Sequence, residues 1–383
     1  MLHDMQIKSK PHSVRSFLTC VLALMFVLAF AQPVLAGPYD SGGGGGGDDT
    51  SVVITPPAPT VISDVVKTED DKTLNRAVET TGVATVSLAG KTDAAAQISP
   101  GVINELAKNN VPLVISNEGV SVRFTGQALI TPAVTGAVSA AQATVDIGAK
   151  VVTAAEKQAI MDNTALGAST GIFEVGGKVV DLTAELVTGT GSSPITSFSE
   201  PVAVTLDLSD LTLTAEQISQ LTATRMEKDA QGNYVPVVLG GTYNAETKTF
   251  TFYTEKFSLY TVVQKTGLVS INLVVGSNSA VVNGSSKTLD VSPTLINNRT
   301  MVPLRFIGEA LGVQFGWNDK TRTVTVKQGT KTLTLVIDKT APGLDVPATI
   351  SNGRTLVPVR YISESFGAKV NWIPSTQAVQ VVK

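Results

Sequence analysis

Imidazole and thiolate chemistry rests on three residues, His3, His12 and Cys20, all within the first 36 positions. That stretch reads as a secretory signal peptide. Lys8, Lys10 and Arg15 lie ahead of or just before an apolar run from Phe17 to Ala31, and Val34-Leu35-Ala36 offers a small-residue cleavage site before Gly37. Gln32 and Pro33 interrupt the run where a peptidase site belongs, so cleavage is favoured over an uncleaved anchor from Phe17 to Leu35. Cys20 is preceded by Leu18-Thr19 and followed by the apolar run, the reverse of a lipid-anchor order. Cleavage after Ala36 leaves a mature chain with no stable membrane span, no disulfide, no Ser-His-Asp or Cys-His nucleophile and no imidazole or thiolate metal site. No cofactor is expected.

The chemistry left to the mature chain belongs to carboxylates, guanidinium groups and indoles. Asp207 with Asp210, and Glu69-Asp70-Asp71, are the acidic clusters that a two-carboxylate glycosidase would need, and both read as turn or linker solvation. Asp229-Ala230-Gln231-Gly232-Asn233 reads as a hairpin turn, short of the oxygen ligands of a calcium loop. No phosphate-binding or dinucleotide glycine pattern follows a strand. Arg299, Arg305, Arg354 and Arg360 are candidates for contact with an anionic polymer, and Trp317 and Trp372 for stacking on sugars. The preferred reading is structural in both cases. The arginines are expected to pair with Glu309, Glu364, Asp290 and Asp345, and the indoles to pack in a core.

Charge and pattern divide the chain that must position these groups. Residues 37–264 hold 13 basic and 25 acidic residues, whereas residues 265–383 hold 13 basic and 6 acidic, a surplus of seven positive charges. Residues 37–60 form a linker, with glycine from Gly42 to Gly47 and then Pro56-Pro57-Ala58-Pro59. From 61 to 265, alternating runs such as Val120-Ser121-Val122-Arg123-Phe124, Val202 to Leu206 and Thr249 to Tyr253 predict strands. Short helices are predicted at Pro100–Asn109, capped by Ser99, and at Thr153–Met161. The fold class is mainly β: a β-sandwich-like domain at 61–265, then a small α/β module at 270–383. An exported, net acidic chain without interleaved aromatic and basic residues does not fit a nucleic-acid partner.

The C-terminal module is an internal duplication. Asn298-Arg299-Thr300-Met301-Val302-Pro303-Leu304-Arg305-Phe306-Ile307-Gly308-Glu309-Ala310-Leu311-Gly312 recurs 55 residues later as Gly353-Arg354-Thr355-Leu356-Val357-Pro358-Val359-Arg360-Tyr361-Ile362-Ser363-Glu364-Ser365-Phe366-Gly367. Trp317 and Trp372 match at the same shift. Each copy, about 271–328 and 331–383, predicts a short helix opened by Pro303 or Pro358 and closed by Gly312 or Gly367, then a strand carrying the tryptophan. The second copy has seven fewer residues before this motif, which trims its first hairpin.

These repeated residues resemble the domain named for the N-terminus of copper amine oxidase, also called a stalk domain, found in exported proteins of Gram-positive bacteria. The resemblance implies short helices on twisted antiparallel sheet and an accessory, not a catalytic, role. Amine oxidase activity is rejected because copper ligation there needs histidines. Asn104-Glu105-Leu106, Val111 to Ile115, Ile195 to Val202 and Glu255 to Val262 are similar to a domain of surface-layer-associated proteins. Pro201 is expected to begin an edge strand and Phe257 and Tyr260 to anchor the last strand. The expectation is a non-catalytic, secreted, cell-wall-associated scaffold or adhesive stalk, with an anionic cell-wall polymer or an envelope protein as partner. A carboxylate-dependent wall or polysaccharide hydrolase and a secreted carbohydrate-binding module are the alternatives.

Overall fold

The computed structural model describes residues 65–68, 74–75, 82–90, 95–140 and 142–383. The expected signal peptide at 1–36, the expected linker at 37–60 and Glu69-Asp70-Asp71 lie outside the described residues. The described chain is mainly β, as its alternation predicts. No helix among the described residues is long and apolar enough to cross a membrane.

The first part holds two sheets. One runs in the order Tyr234–Gly240 (β12), Leu221–Lys228 (β11), Leu259–Lys265 (β15), Ile172–Thr188 (β8), Thr144–Val151 (β7), Ala95–Ile98 (β4), Val65–Thr68 (β1) and Leu74–Asn75 (β2), with Gly191–Pro194 (β9) paired to β8. The other runs Thr242–Asn244 (β13), Thr249–Thr254 (β14), Val202–Asp207 (β10), Val120–Phe124 (β6), Leu113–Asn117 (β5) and Ala84–Ser87 (β3). Inward residues of both sheets meet in one core around Phe124, Ile147, Leu182, Phe252 and Tyr260. Phe257 closes one end, meeting Phe124 and Phe198 edge-to-face at 5.9 and 4.7 Å between ring centres. The strand after Pro201 is not at an edge. β10 lies between β14 and β6, and the proline is tolerated because ladder pairing starts one residue later, at Val202.

The helices begin where hydroxyl side chains can accept the free N–H groups of a first turn. Ser99 Oγ accepts from Val102 N ahead of Pro100–Lys108 (α1). Thr131 does the same for Pro132–Gly136 (α2), and Thr214 for Ala215–Ser219 (α4). Thr153 and Glu156 form a reciprocal capping box on Ala154–Asp162 (α3).

Asp181, on β8 opposite Lys150, has its pKa raised by burial, although Lys150 works against the shift. An acid with a raised folded pKa contributes stability that is complete below its unfolded pKa and is lost as pH rises through the folded value. Asp181→Asn should therefore raise Tm at neutral pH and leave it little changed near pH 4, read from melting curves at both pH values.

The C-terminal part is built as a pseudo-twofold pair. A four-stranded sheet runs Thr294–Ile296 (β19), Arg299–Pro303 (β20), Arg354–Pro358 (β25) and Thr349–Ser351 (β24). At its centre Val302 pairs with Val357, its own counterpart at a shift of 55, so the dyad passes between them. The dyad relates Leu304–Ala310 (α5) to Val359–Ser365 (α6). Pro303 and Pro358 end the strands as N-cap residues, so each helix starts one residue later than the sequence predicts.

Two further sheets complete the pair, and in each of them a strand of one copy adds to the other copy. Ser285–Thr288 (β18), Ser279–Val282 (β17), Ser270–Val274 (β16), Ala378–Val382 (β27) and Lys369–Ile373 (β26) form one sheet. Gln314–Asn318 (β21), Thr323–Gln328 (β22) and Lys331–Val336 (β23) form the other. The first strand of the first copy thus pairs with the last strand of the second, and the first strand of the second copy with the last of the first. The seven-residue deletion removes the second copy's equivalent of the β17–β18 hairpin. One core spans both copies, from Ile271 and Leu273 through Ile307 and Ile362 to Val381.

β27 also meets the first part. Gln380 is buried, and the amide orientation that satisfies its surroundings has the nitrogen donating to Leu239 O and the oxygen accepting from Gly241 N, both at 3.0 Å. Gly240, at φ +81°, lies against Val382 and Gln380 so closely that a Cβ there would stand 2.5 Å from Val382 Cγ2. The Tyr253 phenol hydrogen-bonds the Thr376 side chain across the same seam, and burial raises its pKa.

Candidate functional site

The four repeated arginines divide by position on the dyad. Arg299, on β20 of the first copy, forks onto Asp345 of the second, with Nε at 2.9 Å and Nη2 at 2.6 Å from Oδ2. Arg354 returns the same contact from the second copy to Asp290 of the first, with Nε and Nη2 at 2.8 Å from Oδ2. Asp290 and Asp345 are themselves 55 apart, so the pairs are reciprocal. The Arg299 guanidinium holds the Asp345 carboxyl below its usual range. All four side chains are exposed, so solvent screening leaves such pairs little weight in stability; their use is in fixing how the copies register.

The helix arginines behave differently. Arg360 pairs with Glu364 one turn on, at 3.0 Å. Its twin Arg305 is exposed and has no ion-pair partner among the described residues; the expected bond to Glu309 is not formed.

The indoles differ as well. On β26, Val370 and Trp372 pair with Val381 and Val379, so they share the face that looks into the core. Trp372 is half-buried there, and with Leu295, Arg299, Thr300 and Arg360 it lines a groove of about 390 Å³. On β21, Phe315 and Trp317 pair with Val326 and Val324 in the same way. Yet Trp317 is 47 % exposed and Phe315 37 %, which corrects the expectation that both tryptophans are core anchors. The face is as the sequence predicts, but the layer above β21 stops short of its edge.

A size exchange separates the two faces. A Cβ on Gly308 of α5 would lie 3.1 Å from the Phe315 ring, so the ring packs closely over the glycine. In the second copy the same two positions hold Ser363, fully buried, and the smaller Val370. Leu295 and Ile350, another pair 55 apart, are each largely exposed on the edge strands β19 and β24. Sequence reasoning missed both of them and Phe315, although the 55-residue match extends to Leu295 and Ile350.

Residues 256–326 and 336–383 match the copper amine oxidase N-terminal domain. The domain matched is a non-catalytic one of that family. The match to the copper amine oxidase N-terminal domain begins within the last turn before β15, and its break at 327–335 falls on the β22–β23 hairpin. No curated protein matches the chain.

The acidic clusters within the described residues stand as turn elements. Asp207 Oδ1 accepts from Ser209 N, and Asp210 lies 3.5 Å from Lys178 Nζ. Asp229 Oδ1 accepts from Gln231 N and Asn233 N, which closes the hairpin turn predicted there and holds its carboxyl below the usual range despite an opposing desolvation cost. No group of three or more His, Cys, Asp or Glu side chains able to hold a metal ion occurs among the described residues.

Proposed function

We propose that this chain is a non-catalytic, exported scaffold of the cell envelope, whose basic C-terminal part associates with anionic polymer of the wall. One observation carries the reading. Within residues 265–383 four arginines are neutralised by Asp290, Asp338, Asp345 and Glu364. The positive surplus of this part therefore rests on its lysines and on Arg305, the one repeated arginine without a carboxylate partner among the described residues. A field of dispersed lysines attracts a polyanion over a range of about 8–10 Å without demanding one geometry. The similarity to an accessory domain supports the same reading, as does the seam at Gly240 and Gln380, which joins the acidic and basic parts.

Incubating the mature protein with purified cell walls tests it. Retention is expected at low salt and should fall steeply as ionic strength rises from about 0.05 to 0.5 M. No retention at any salt, or retention that salt does not change, would overturn the electrostatic association.

A secreted carbohydrate-binding role gains support from one observation, the exposure of Trp317. The site it implies is taken up next.

A further inference from the structure

The two faces related by the dyad are unequal at the side chains that a ligand would meet. On the Trp372 face the indole is half-buried, and Arg299 and Arg360 are both engaged with carboxylates. On the other face Trp317 and Phe315 are open, at 47 and 37 % exposure, and Arg305 is unpaired among the described residues; Ile350 and Arg354 there do not differ from their twins Leu295 and Arg299. By the dyad, Arg305 stands to Trp317 as Arg360 stands to Trp372, and the latter two line one groove.

We propose that the face carrying Arg305, Phe315 and Trp317 is a binding site for an anionic glycan. The proposal rests on the envelope reading above and names its site. Residues two apart on a strand present their rings on one face, about 7 Å apart. The electron-rich ring faces attract the C–H face of a sugar. An unpaired guanidinium beside them takes a carboxylate or phosphate in a forked, charge-assisted pair. A side chain kept only for packing gains by burial, whereas Trp317 leaves nearly half its surface in water on a part that carries a positive surplus. Gly308 helps to position the ring, because a Cβ there would press on Phe315 at 3.1 Å and push it outward by a few tenths of an ångström.

The mature protein has two indoles, so Trp372→Phe leaves Trp317 as the sole fluorescent reporter. Four probes are titrated: a polyuronic acid, a phosphodiester-linked sugar polymer, an uncharged glucan and polyglutamate. A blue shift of Trp317 emission with either anionic glycan is the expected result, and the one that binds identifies the anion. Trp317→Ala and Arg305→Gln should each weaken binding tenfold or more with little change in Tm. Arg360→Gln, on the closed face, should leave affinity within twofold. Undiminished binding by Trp317→Ala, binding of polyglutamate as tight as that of the glycans, or no binding of either anionic glycan would overturn the proposal. If walls retain Trp317→Ala and Arg305→Gln as they retain the unchanged protein, this site is wrong and the scaffold reading stands. If walls retain none of them, both fall.

Discussion

A fragment that ends at Gln328, and so contains the whole first copy, should not fold its C-terminal part. Every sheet of that copy is completed from the other: β16 needs β27, β20 needs β25, and β22 needs β23. The single core also takes Leu335, Ile337, Val357, Val359, Ile362, Phe366, Val379 and Val381 from the second copy. Each large apolar side chain gains roughly 1.5–3 kcal/mol by burial, so losing eight such partners costs about 12–24 kcal/mol, as much as or more than the 5–15 kcal/mol net stability of a typical domain. Circular dichroism of the peptide 270–328 should show an unordered chain, and mixing it with 331–383 should restore β structure at one-to-one stoichiometry. A peptide 270–328 that is ordered alone, with a cooperative melt, would refute this account of the duplication.

The seam between the two parts should be equally sensitive at one position. Gly240 holds φ +81°, where a β-branched residue is strained, and its missing side chain is the space that Val382 fills. Gly241 beside it donates its N–H to Gln380 and lies against the Phe250 ring, so the backbone has no room to retreat. Gly240→Val should cost about 2–4 kcal/mol through strain and overpacking. The loss should appear as faster hydrogen exchange along β12 and β27, and as two thermal transitions where the unchanged protein is expected to show one. A single transition with an unaltered Tm would show that the seam is not a coupling element.

Much of this was legible in the sequence because it is local. Ser99 and Thr153 mark helix starts through hydrogen bonds made within three residues, and the structure has those bonds. Asp229 to Asn233 closes on itself in the same way. The match of Arg299 and Asp290 to Arg354 and Asp345 is visible as spacing, but not that each arginine reaches the other copy's aspartate. That depends on the dyad between Val302 and Val357, a tertiary fact.

The misjudged positions share a cause. Alternation tells which face of β21 Trp317 occupies, and it does face the core side. It does not tell how far the opposite layer extends, and α5 does not reach the indole. Pro201 reads as an edge residue for a related reason: a proline forbids pairing only at its own nitrogen, and sheet order is not written in one strand. The helix pair Arg305–Glu309 has the same spacing as Arg360–Glu364, yet only the second forms. Exposed pairs of this kind gain so little that spacing alone does not determine them.

The pairing of β16 with β27 brings the entry and exit of the C-terminal part together. Val269 and Lys383 exchange both backbone hydrogen bonds, at 2.9 and 2.8 Å, directly beside the Ser270–Val382 pair. A pull applied between those two points loads the antiparallel ladder from one end, so its bonds open in succession like a zip and are not sheared together. The first and last strands of this part are thus the ones that such a pull would separate first.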